Sequence, residues 1–263
     1  MIDIHNHLLP GVDDGSNDIA RSVEQLRLLA QSGVQKVFLT PHYMQHVYPN
    51  SRANIEPVIA ELKNALQKAD VSIELEAGAE YFLDQLAAET VAREHLTLGD
   101  SKYVLVETMM QQIPPDFLEN VYELQKADYK IIMAHPERYT EIIRNPELVE
   151  EFIHHDILMQ VNAGSFLNYY GKAVENTAYD LLQNGYVHFI ASDNHGNQES
   201  CFQKTVFQLI SEHFSDTIAR LLLLENPARI LSGESINLFN HWRLPHPPKT
   251  IWQNFKEFFT GHE

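Results

Sequence analysis

The sequence has one cysteine, few basic residues and no long apolar run. A single cysteine among 263 residues excludes an internal disulfide framework and suits a reducing compartment. No stretch approaches the roughly 18 consecutive apolar residues of a membrane span, and the N-terminus has no basic segment followed by an apolar run. We therefore expect a soluble, cytoplasmic protein without membrane insertion.

Positive charge is scarce. The 19 Lys and Arg residues against 36 Asp and Glu give a formal net charge of −17, which repels nucleic acid at long range. We therefore expect no nucleic-acid partner. The chain nevertheless contains 14 histidines, and imidazole and carboxylate groups together form the donor set of many divalent-metal sites.

Several catalytic motifs are absent. The sequence has no GxSxG elbow, no GxxxxGK[ST] phosphate loop and no GxGxxG motif. A cysteine phosphatase needs a thiolate with an arginine six residues onward, whereas Phe207 stands in that position after Cys201. These absences disfavour serine hydrolases, kinases and cysteine phosphatases, and they leave hydrolysis by water activated on metal.

Short β-rich runs alternate with amphipathic stretches, which favours a parallel sheet with helices outside. One α/β barrel or two smaller domains would both fit the length. Seven runs are predicted strands: Ile2–Asn6, Lys36–Thr40, Val71–Ala77, Tyr103–Glu107, Lys130–Ala134, Ile157–Val161 and Val187–Ala191. Predicted helices follow an N-cap at Ser16 or Asn17, Ala53–Ala69, a stretch from Asp116, an N-cap at Asn145, Val174–Leu182, Phe202–Phe214 and Asn226–Leu231.

The last part of the chain breaks this alternation. Residues 236–263 have no predicted strand partner, and they contain five aromatic residues beyond position 240: Trp242, Trp252, Phe255, Phe258 and Phe259. We expect this aromatic-rich tail to form a packed cap or a contact surface rather than a cofactor site.

Side chains of metal-ligand type follow the predicted strands. A His-x-His pair alone is weak, since 14 randomly placed histidines would produce about 0.7 such pairs. Six of the seven strands, however, are followed by histidine, aspartate or glutamate: His5, His7, His42, Glu80, Glu107, His135, Asp193 and His195. Because the carboxyl ends of parallel strands share one face, we expect these side chains to converge there, together with Asp14.

Each of these residues alone has an ordinary explanation. His42 would be a loop histidine, Glu80 a solvated strand end, and His135 the residue before a proline turn. Their joint occurrence favours a site. Nine donors are too many for one ion and suit two or three, and nitrogen and oxygen donors without thiolate favour Mn, Fe or Zn. We predict no role for the other histidines that we considered: His46, His154, His155, His188, His213, His241, His246 and His262.

The motifs at these strand ends resemble those of a known superfamily. They read HNH, PGVDDGS, TPHY, AGAEYF, MAHPERY and IASDNH. Together with Glu107 they resemble the polymerase and histidinol phosphatase (PHP) superfamily, and more closely the manganese-dependent protein tyrosine phosphatases of bacterial capsule and exopolysaccharide operons. The resemblance runs from residue 1 to about 230. It implies a single, distorted seven-stranded (β/α)7 barrel over residues 1–263, with C-terminal helices. It also implies three metal ions and, as substrate, the phosphotyrosine tail of a partner tyrosine kinase that controls polysaccharide export.

The resemblance also implies roles for individual residues. One ion would be held by His5, His7, Glu80 and Asp193, a second by Glu80, Glu107 and His135, and a third by Asp14, His42 and His195. Asp13 would be a turn residue or would support a ligand. Arg138 would bind a phosphate oxygen, and His42 is a candidate proton donor to the leaving group. Relatives usually carry a further arginine after the seventh strand; it is missing here, and Lys204 is the nearest cation.

Four alternatives stay open. The first is a histidinol-phosphate or other small phosphomonoester phosphatase of the same superfamily, and the second is a superfamily nuclease, which the acidity disfavours. The third is an amidohydrolase, which commonly needs a lysine near the fourth strand, where Glu107 stands. The last is a weakly active protein that binds phosphotyrosine without turning it over, which the missing arginine favours.

Overall fold

The computed structural model describes residues 1–197 and 201–240, in which strands and helices alternate. The strands are β1 (Ile2–Asp3), β2 (Lys36–Leu39), β3 (His42–Tyr43), β4 (Glu74–Ala77), β5 (Glu80–Phe82), β6 (Tyr103–Glu107), β7 (Lys130–Ala134), β8 (Ile157–Asn162) and β9 (Phe189–Ala191). The α-helices are α1 (Ile19–Gln31), α2 (Arg52–Lys68), α3 (Ala87–Glu94), α4 (Phe117–Lys126), α5 (Thr140–Arg144), α6 (Leu148–His154), α7 (Lys172–Gln183), α8 (Phe202–His213), α9 (Asp216–Arg220) and α10 (Asn226–Ser232). Short 3-10 helices cover Pro136–Arg138 and Ala163–Leu167, and a π-helix covers Leu221–Glu225.

The strands form two parallel sheets, ordered β1-β2-β4 and β3-β5-β6-β7-β8-β9. β2 and β3 are two halves of one strand interrupted at residues 40–41, and β4 and β5 are halves of another interrupted at residues 78–79. A Cβ atom on Gly78 would lie 3.2 Å from Thr40 Cγ2, so the two interruptions pack against each other with little room for a side chain. Counting each interrupted strand once leaves seven strands in the described residues.

The barrel closes between its first and last strands. Asn6 forms a parallel bridge with Asn194. On either side of it, the His7 amide donates to the Asn194 carbonyl at 2.9 Å and the Asp193 amide donates to the His5 carbonyl at 2.9 Å. The expected distorted seven-stranded α/β barrel is therefore confirmed.

The inward-facing residues of the strands divide the barrel interior into two parts. We call the apolar part near the amino ends of the strands the floor and the polar part at their carboxyl ends the mouth. In β6, Tyr103 and Leu105 belong to the small apolar cluster that fills the barrel, and Glu107 follows them at the same spacing. In β8, Leu158 belongs to the same cluster, and the polar residue Gln160 follows it. The alternate residues of these strands pack outward in the larger cluster that includes the helices. The carboxyl end of the barrel is thus the end that can carry a polar site.

Some predicted boundaries were wrong. The N-cap of α1 is Asp18, whose side chain accepts from the Arg21 amide, because Ser16 is buried and its amide donates to the His7 carbonyl. β4 begins at Glu74 rather than at Val71, whose amide instead donates to Leu66 as α2 ends. The N-cap predicted at Asn145 ends α5, and α6 begins at Leu148. The sequence analysis did not identify α3, α5 and α9.

The C-terminal end of the described chain covers the floor of the barrel. Ile230 of α10 and Ile236 both pack in the cluster inside the barrel. Residues 241–263, which include the aromatic residues of the predicted tail, lie outside the described residues. The single-domain organisation therefore stays a prediction. Among the described helices, none is long and apolar enough to cross a membrane.

His188, for which we predicted no role, is fully buried near this floor. Its Nδ1 accepts from the Met159 amide at 2.9 Å, and its Nε2 faces the Leu238 carbonyl at 2.8 Å. These partners assign the neutral tautomer that is protonated at Nε2. Burial lowers the pKa of His188 to about 4.

We expect this histidine to make the fold sensitive to acid. The pKa of His188 is lower in the folded state than the value of about 6.5 expected for the unfolded chain. The neutral histidine therefore stabilises the fold fully above pH 6.5, and this contribution is lost as the pH falls towards 4. Between pH 7 and pH 5 the loss should be about 2 kcal/mol. Urea unfolding at both pH values measures it. In His188→Asn, which cannot be protonated, the loss of stability over the same interval should be smaller; equal losses in the two proteins would contradict the assignment.

Candidate metal centre

All nine predicted metal ligands lie at the carboxyl end of the barrel. They come from six of the seven strands and from the loop after β1: His5, His7, Asp14, His42, Glu80, Glu107, His135, Asp193 and His195. His42 and Glu80 belong to β3 and β5 themselves and are direct register partners, rather than residues of loops. The second half of each interrupted strand thus delivers a donor into the mouth.

The first group of donors consists of His5, His7, Glu80 and Asp193. The Nε2 atoms of His5 and His7 are 3.1 Å apart. Each of these nitrogens lies 3.4 Å from Glu80 Oε2 and 3.5 Å from Asp193 Oδ1. Atoms that bind one ion at about 2.1 Å lie about 3.0–3.5 Å from one another. The spacing of these four donors therefore fits a single cation.

The other donors extend this group. Glu80 Oε1 lies 3.0 Å from His135 Nε2, and Glu107 Oε2 lies 3.9 Å from the same nitrogen. Asp14 Oδ1 lies 3.4 Å from His42 Nε2 and 3.5 Å from His195 Nε2. Glu80 therefore faces the first group with one oxygen and His135 with the other. Some donors also lie close together across the sets that the resemblance implies: His7 groups with Asp14, His42 and His195, and His42 groups with Glu80 and Glu107.

His42 has one contact that the sequence analysis did not predict. Its Nδ1 lies 3.0 Å from both Glu80 Oε2 and Glu107 Oε1. All three atoms are buried, yet none has a hydrogen-bond partner among the described residues. The distances are short but the angles do not suit hydrogen bonds. Because unpaired buried polar atoms are costly, their convergence points to a cation as the missing partner.

Two side chains outside the nine orient the histidines. The side chain of Asp13 is buried, and its Oδ2 accepts from His7 Nδ1 at 2.7 Å and from the His42 amide at 3.0 Å. Gln160 Oε1 accepts from His5 Nδ1 at 2.7 Å. With protons on Nδ1, both histidines direct the Nε2 lone pair towards the donor group. Such outer contacts fix the tautomer and orientation of metal-binding histidines.

Arg138 is held at the edge of this group. Its Nη1 donates to Asp193 Oδ2 at 3.1 Å, and its guanidinium lies 4.5 Å from the ring centroid of Tyr170. Asn162 Nδ2 donates to the same carboxylate oxygen at 2.6 Å. Asp193 therefore directs Oδ1 to the histidines and Oδ2 to Arg138. The guanidinium is partly exposed, with 24 % of the side chain accessible.

The sequence analysis missed Gln160, Asn162 and Tyr170. β8 was the one strand without an expected ligand. A signal was nevertheless present, because Gln160 and Asn162 are two amides at alternate positions of an otherwise apolar strand, ILMQVN, in which every residue is buried. Alternate positions of a strand face the same side, so both amides point into the mouth.

The backbone is strained where two donors leave their strands. His135 and Asp193 have φ values of 38° and 48°, in the left-handed region that branched or bulky residues rarely adopt. A residue other than glycine adopts this region at a cost of about 1–3 kcal/mol. The turn after Asp14 is also crowded, since a Cβ atom on Gly15 would lie 2.0 Å from the His7 carbonyl oxygen.

The close packing of the nine donor side chains favours the protonated form of the histidines and the ionised form of the carboxylates. Burial alone would lower the pKa of His7, but its hydrogen bond to Asp13 and the nearby Glu80 carboxylate raise it to about 10. Burial alone would raise the pKa of Asp193, but the surrounding histidines, His5 first, lower it to about 2. The pKa of Glu80 is lowered in the same way. The mouth thus contains ionised carboxylates that require cationic partners.

The remaining predictions concern residues around the site. Lys204 is exposed on α8. The cation that contacts the loop after His195 is instead Arg21 of α1, whose Nε donates to the Gly196 carbonyl; residues 198–200 of this loop lie outside the described residues. Among the other histidines, His46 and His154 are exposed, and His241, His246 and His262 lie outside the described residues.

The closed parallel barrel, with its donors at the carboxyl end, has the fold of PHP and amidohydrolase-like barrel proteins. Residues 1–232 match the family described as "Capsular polysaccharide synthesis, CpsB/CapC". The chain is also 31 % identical over 239 residues to the tyrosine-protein phosphatase YwqE of Bacillus subtilis (strain 168), an alignment that covers 90 % of this chain and 93 % of the relative. The protein therefore belongs to the CpsB/CapC family, which confirms the resemblance.

Solved structures agree with this placement. One match is to the crystal structures of YwqE from Bacillus subtilis and CpsB from Streptococcus pneumoniae, described as unique metal-dependent tyrosine phosphatases; the TM-score is 0.84 at 30 % identity, covering 90 % of this chain and 96 % of the other. Histidinol phosphate phosphatase from Lactococcus lactis matches with a TM-score of 0.55 at 14 % identity, covering 85 % of this chain and 95 % of the other. The second likeness shows a shared fold alone.

We expect Asp13 to control metal affinity without binding metal itself. Asp13→Ala removes the acceptor that orients His7, so Mn²⁺ affinity measured by calorimetry should fall about 10–100-fold. Gln160→Leu should weaken binding in the same way through His5. Glu61→Gln, which changes an exposed carboxylate on α2, is the matched control and should bind like the wild type. Unchanged affinity in both test variants would disprove the orienting role.

Proposed function

We propose that the protein is a metal-dependent tyrosine-protein phosphatase linked to capsular polysaccharide synthesis. Its substrate would be the phosphotyrosine tail of a bacterial tyrosine kinase. The convergence of nine His, Asp and Glu donors beside Arg138 carries the proposal. Membership of the CpsB/CapC family and the likeness to YwqE support it.

The donor geometry supports the metal sets that the resemblance implies, with Mn²⁺ as the expected ion and Fe or Zn as alternatives. The sets are His5, His7, Glu80 and Asp193; Glu80, Glu107 and His135; and Asp14, His42 and His195. When bound, divalent ions at such a site activate water and neutralise charge on the phosphoryl group. The donors themselves would hold the positive charge of these ions in a fixed position. Their burial and the hydrogen bonds to the histidine Nδ1 atoms favour this role.

Charge balance explains how an acidic protein attracts a phosphate ester. Three divalent ions would bring six positive charges, and the four carboxylates Asp14, Glu80, Glu107 and Asp193 return four negative ones. The mouth would then be positive by about two charges, since the further charges of Arg138 and Asp13 cancel each other. This local field opposes the net charge of −17.

Arg138 would bind an oxygen of the transferred phosphate. Asp193 and the Tyr170 ring hold its guanidinium from two sides, so it is oriented before substrate arrives. The phenol leaving group has a pKa of about 10 and needs only modest proton assistance. Both ring nitrogens of His42 face carboxylates, which favours a ligand role; its role as proton donor stays a prediction.

The second candidate function is hydrolysis of small phosphomonoesters such as histidinol phosphate. The histidinol phosphate phosphatase from Lactococcus lactis shares the fold at 14 % identity, which carries no substrate to this chain. Rates on a phosphotyrosyl peptide and on histidinol phosphate, measured side by side with Mn²⁺, distinguish the two functions. Turnover at saturating Mn²⁺ would also exclude a protein that only binds phosphotyrosine.

Removing one metal ligand should abolish most activity. In His135→Ala and Asp193→Ala we expect the Mn²⁺-dependent kcat on p-nitrophenyl phosphate to fall at least about 100-fold. Each variant would hold its divalent ion poorly, and the positive charge of that ion stabilises the transition state. His154→Ala, which removes an exposed histidine on α6, serves as the control. Full Mn²⁺-dependent activity in either ligand variant would sink the proposed mechanism.

Replacing the arginine should instead affect phosphate binding. Arg138→Lys keeps the charge but loses the planar fork that Asp193 and Tyr170 orient. We expect KM for p-nitrophenyl phosphate, and the inhibition constant of inorganic phosphate, to rise about tenfold with the metal content unchanged. Kinetics and elemental analysis of the same preparation test this; a lost metal ion with unchanged KM would assign Arg138 to the metal centre instead.

A further inference from the structure

Four of the seven large apolar side chains that are exposed in the described residues lie at the end of the barrel that carries the metal centre. They lie on loops after the carboxyl ends of strands and are Val47, Leu86, Met109 and Tyr169, with exposed fractions of 63 %, 45 %, 50 % and 49 %. We call these four residues the apolar rim. Exposed apolar side chains beside a binding site are available to contact what binds there.

Three rim residues lie on neighbouring loops. β3, β5 and β6 are hydrogen-bonded neighbours in the sheet, and the loops that follow them carry Val47, Leu86 and Met109. Each loop follows a strand that contains a donor of the metal centre, namely His42, Glu80 or Glu107. The three loops therefore follow one another along the carboxyl end of the sheet, where these donors lie.

Tyr169 lies further along the same end of the sheet, after β8. Its ring centroid lies 4.9 Å from that of Tyr170, and Tyr170 in turn packs against Arg138. Near Val47, Tyr48 is partly buried and stacks on His42 with ring centroids 5.8 Å apart. Aromatic groups thus lie close to both the arginine and the donor group.

The burial of the donors separates the rim from the centre. Glu80 is 0 % exposed and Asp193 is 4 % exposed, so a small phosphate ester that reaches them occupies the interior of the mouth. A phosphotyrosine within a polypeptide reaches the same donors, but its neighbouring residues must lie across the surrounding loops. Only the second kind of substrate brings side chains to the rim.

The charges of the loops limit what those neighbours can be. The segments 44–48, 83–86 and 108–113 contain no lysine or arginine, and they include Asp84. Acidic residues beside the phosphotyrosine would find no lysine or arginine in these three segments and would lie close to Asp84. Apolar and aromatic residues would bury surface against the rim.

From these contacts, and resting on the proposed phosphatase function, we infer that the apolar rim binds apolar or aromatic residues next to the phosphotyrosine of a polypeptide substrate. The occupant is an extended segment of a partner protein. The apolar rim then contributes to binding of the flanking residues and takes no part in the chemical step.

Binding of a non-hydrolysable peptide tests the inference without turnover. The peptide carries a phosphonate analogue of phosphotyrosine flanked by leucine and tyrosine, and a second peptide has serine and glycine in their place. In the combined variant Val47→Ser, Leu86→Ser and Met109→Gln, we expect fluorescence anisotropy to show about tenfold weaker binding of the first peptide and little change for the second. The kcat/KM on p-nitrophenyl phosphate should stay at the wild-type value.

The matched control removes exposed apolar side chains away from the mouth. Tyr122→Ser with Leu231→Ser changes residues on α4 and α10 and should leave binding of both peptides unchanged. The inference is overturned if the rim variant binds the first peptide like the control, or if the wild type does not distinguish the two peptides. Failure of the wild type to hydrolyse p-nitrophenyl phosphate with Mn²⁺ would instead refute the proposed function, while the binding data still decide the role of the rim.

Discussion

The mutual neutralisation of buried carboxylates and imidazoles is the interaction on which this structure depends. Glu80 and His5 are fully buried, and isolated charges in such positions would be strongly destabilising. They are tolerated because each oxygen faces nitrogens, and because a cation can occupy the point where the lone pairs converge. The hydrogen bonds that close the barrel join His5 to Asp193 and His7 to Asn194. The contacts that close the barrel therefore also hold donors from its first and last strands together.

The sheet resolves the conflict between a dry core and a polar site by dividing its length. Inward positions near the amino ends hold apolar side chains such as Leu105 and Leu158, and the next inward positions hold Glu107 and Gln160. The hydrophobic effect therefore stabilises the floor, and that rigid floor supports the strained backbone of His135 and Asp193 at the mouth.

The sequence was sufficient for features that repeat along the chain. Alternating strands and helices predicted a parallel sheet with helices outside, and a donor after each of six strands predicted the convergence of residues as distant as His5 and His195. The seven-stranded barrel was implied by the resemblance. The sequence was not sufficient for Gln160, Asn162 and Tyr170, because amides and tyrosines are common and their roles depend on which neighbour they meet across the sheet. The N-cap of α1 was mispredicted for the same reason: Ser16 is a good cap by residue type, but its amide contacts the His7 carbonyl of the closing strand.

Asp193 explains why the metal centre and the phosphate-binding arginine act as one unit. One of its oxygens faces His5, His7 and His195, while the other accepts from Arg138 and Asn162. Any displacement of the Asp193 carboxylate would move both a cation held beside the histidines and the guanidinium of Arg138. The left-handed backbone at Asp193 resists such displacement only while Ser192 stays fixed, and Asp3 of β1 holds that residue through its amide and its hydroxyl, at 2.9 Å and 2.6 Å. The orientation of the site at the mouth is therefore set by a contact below it, between the first and last strands of the barrel.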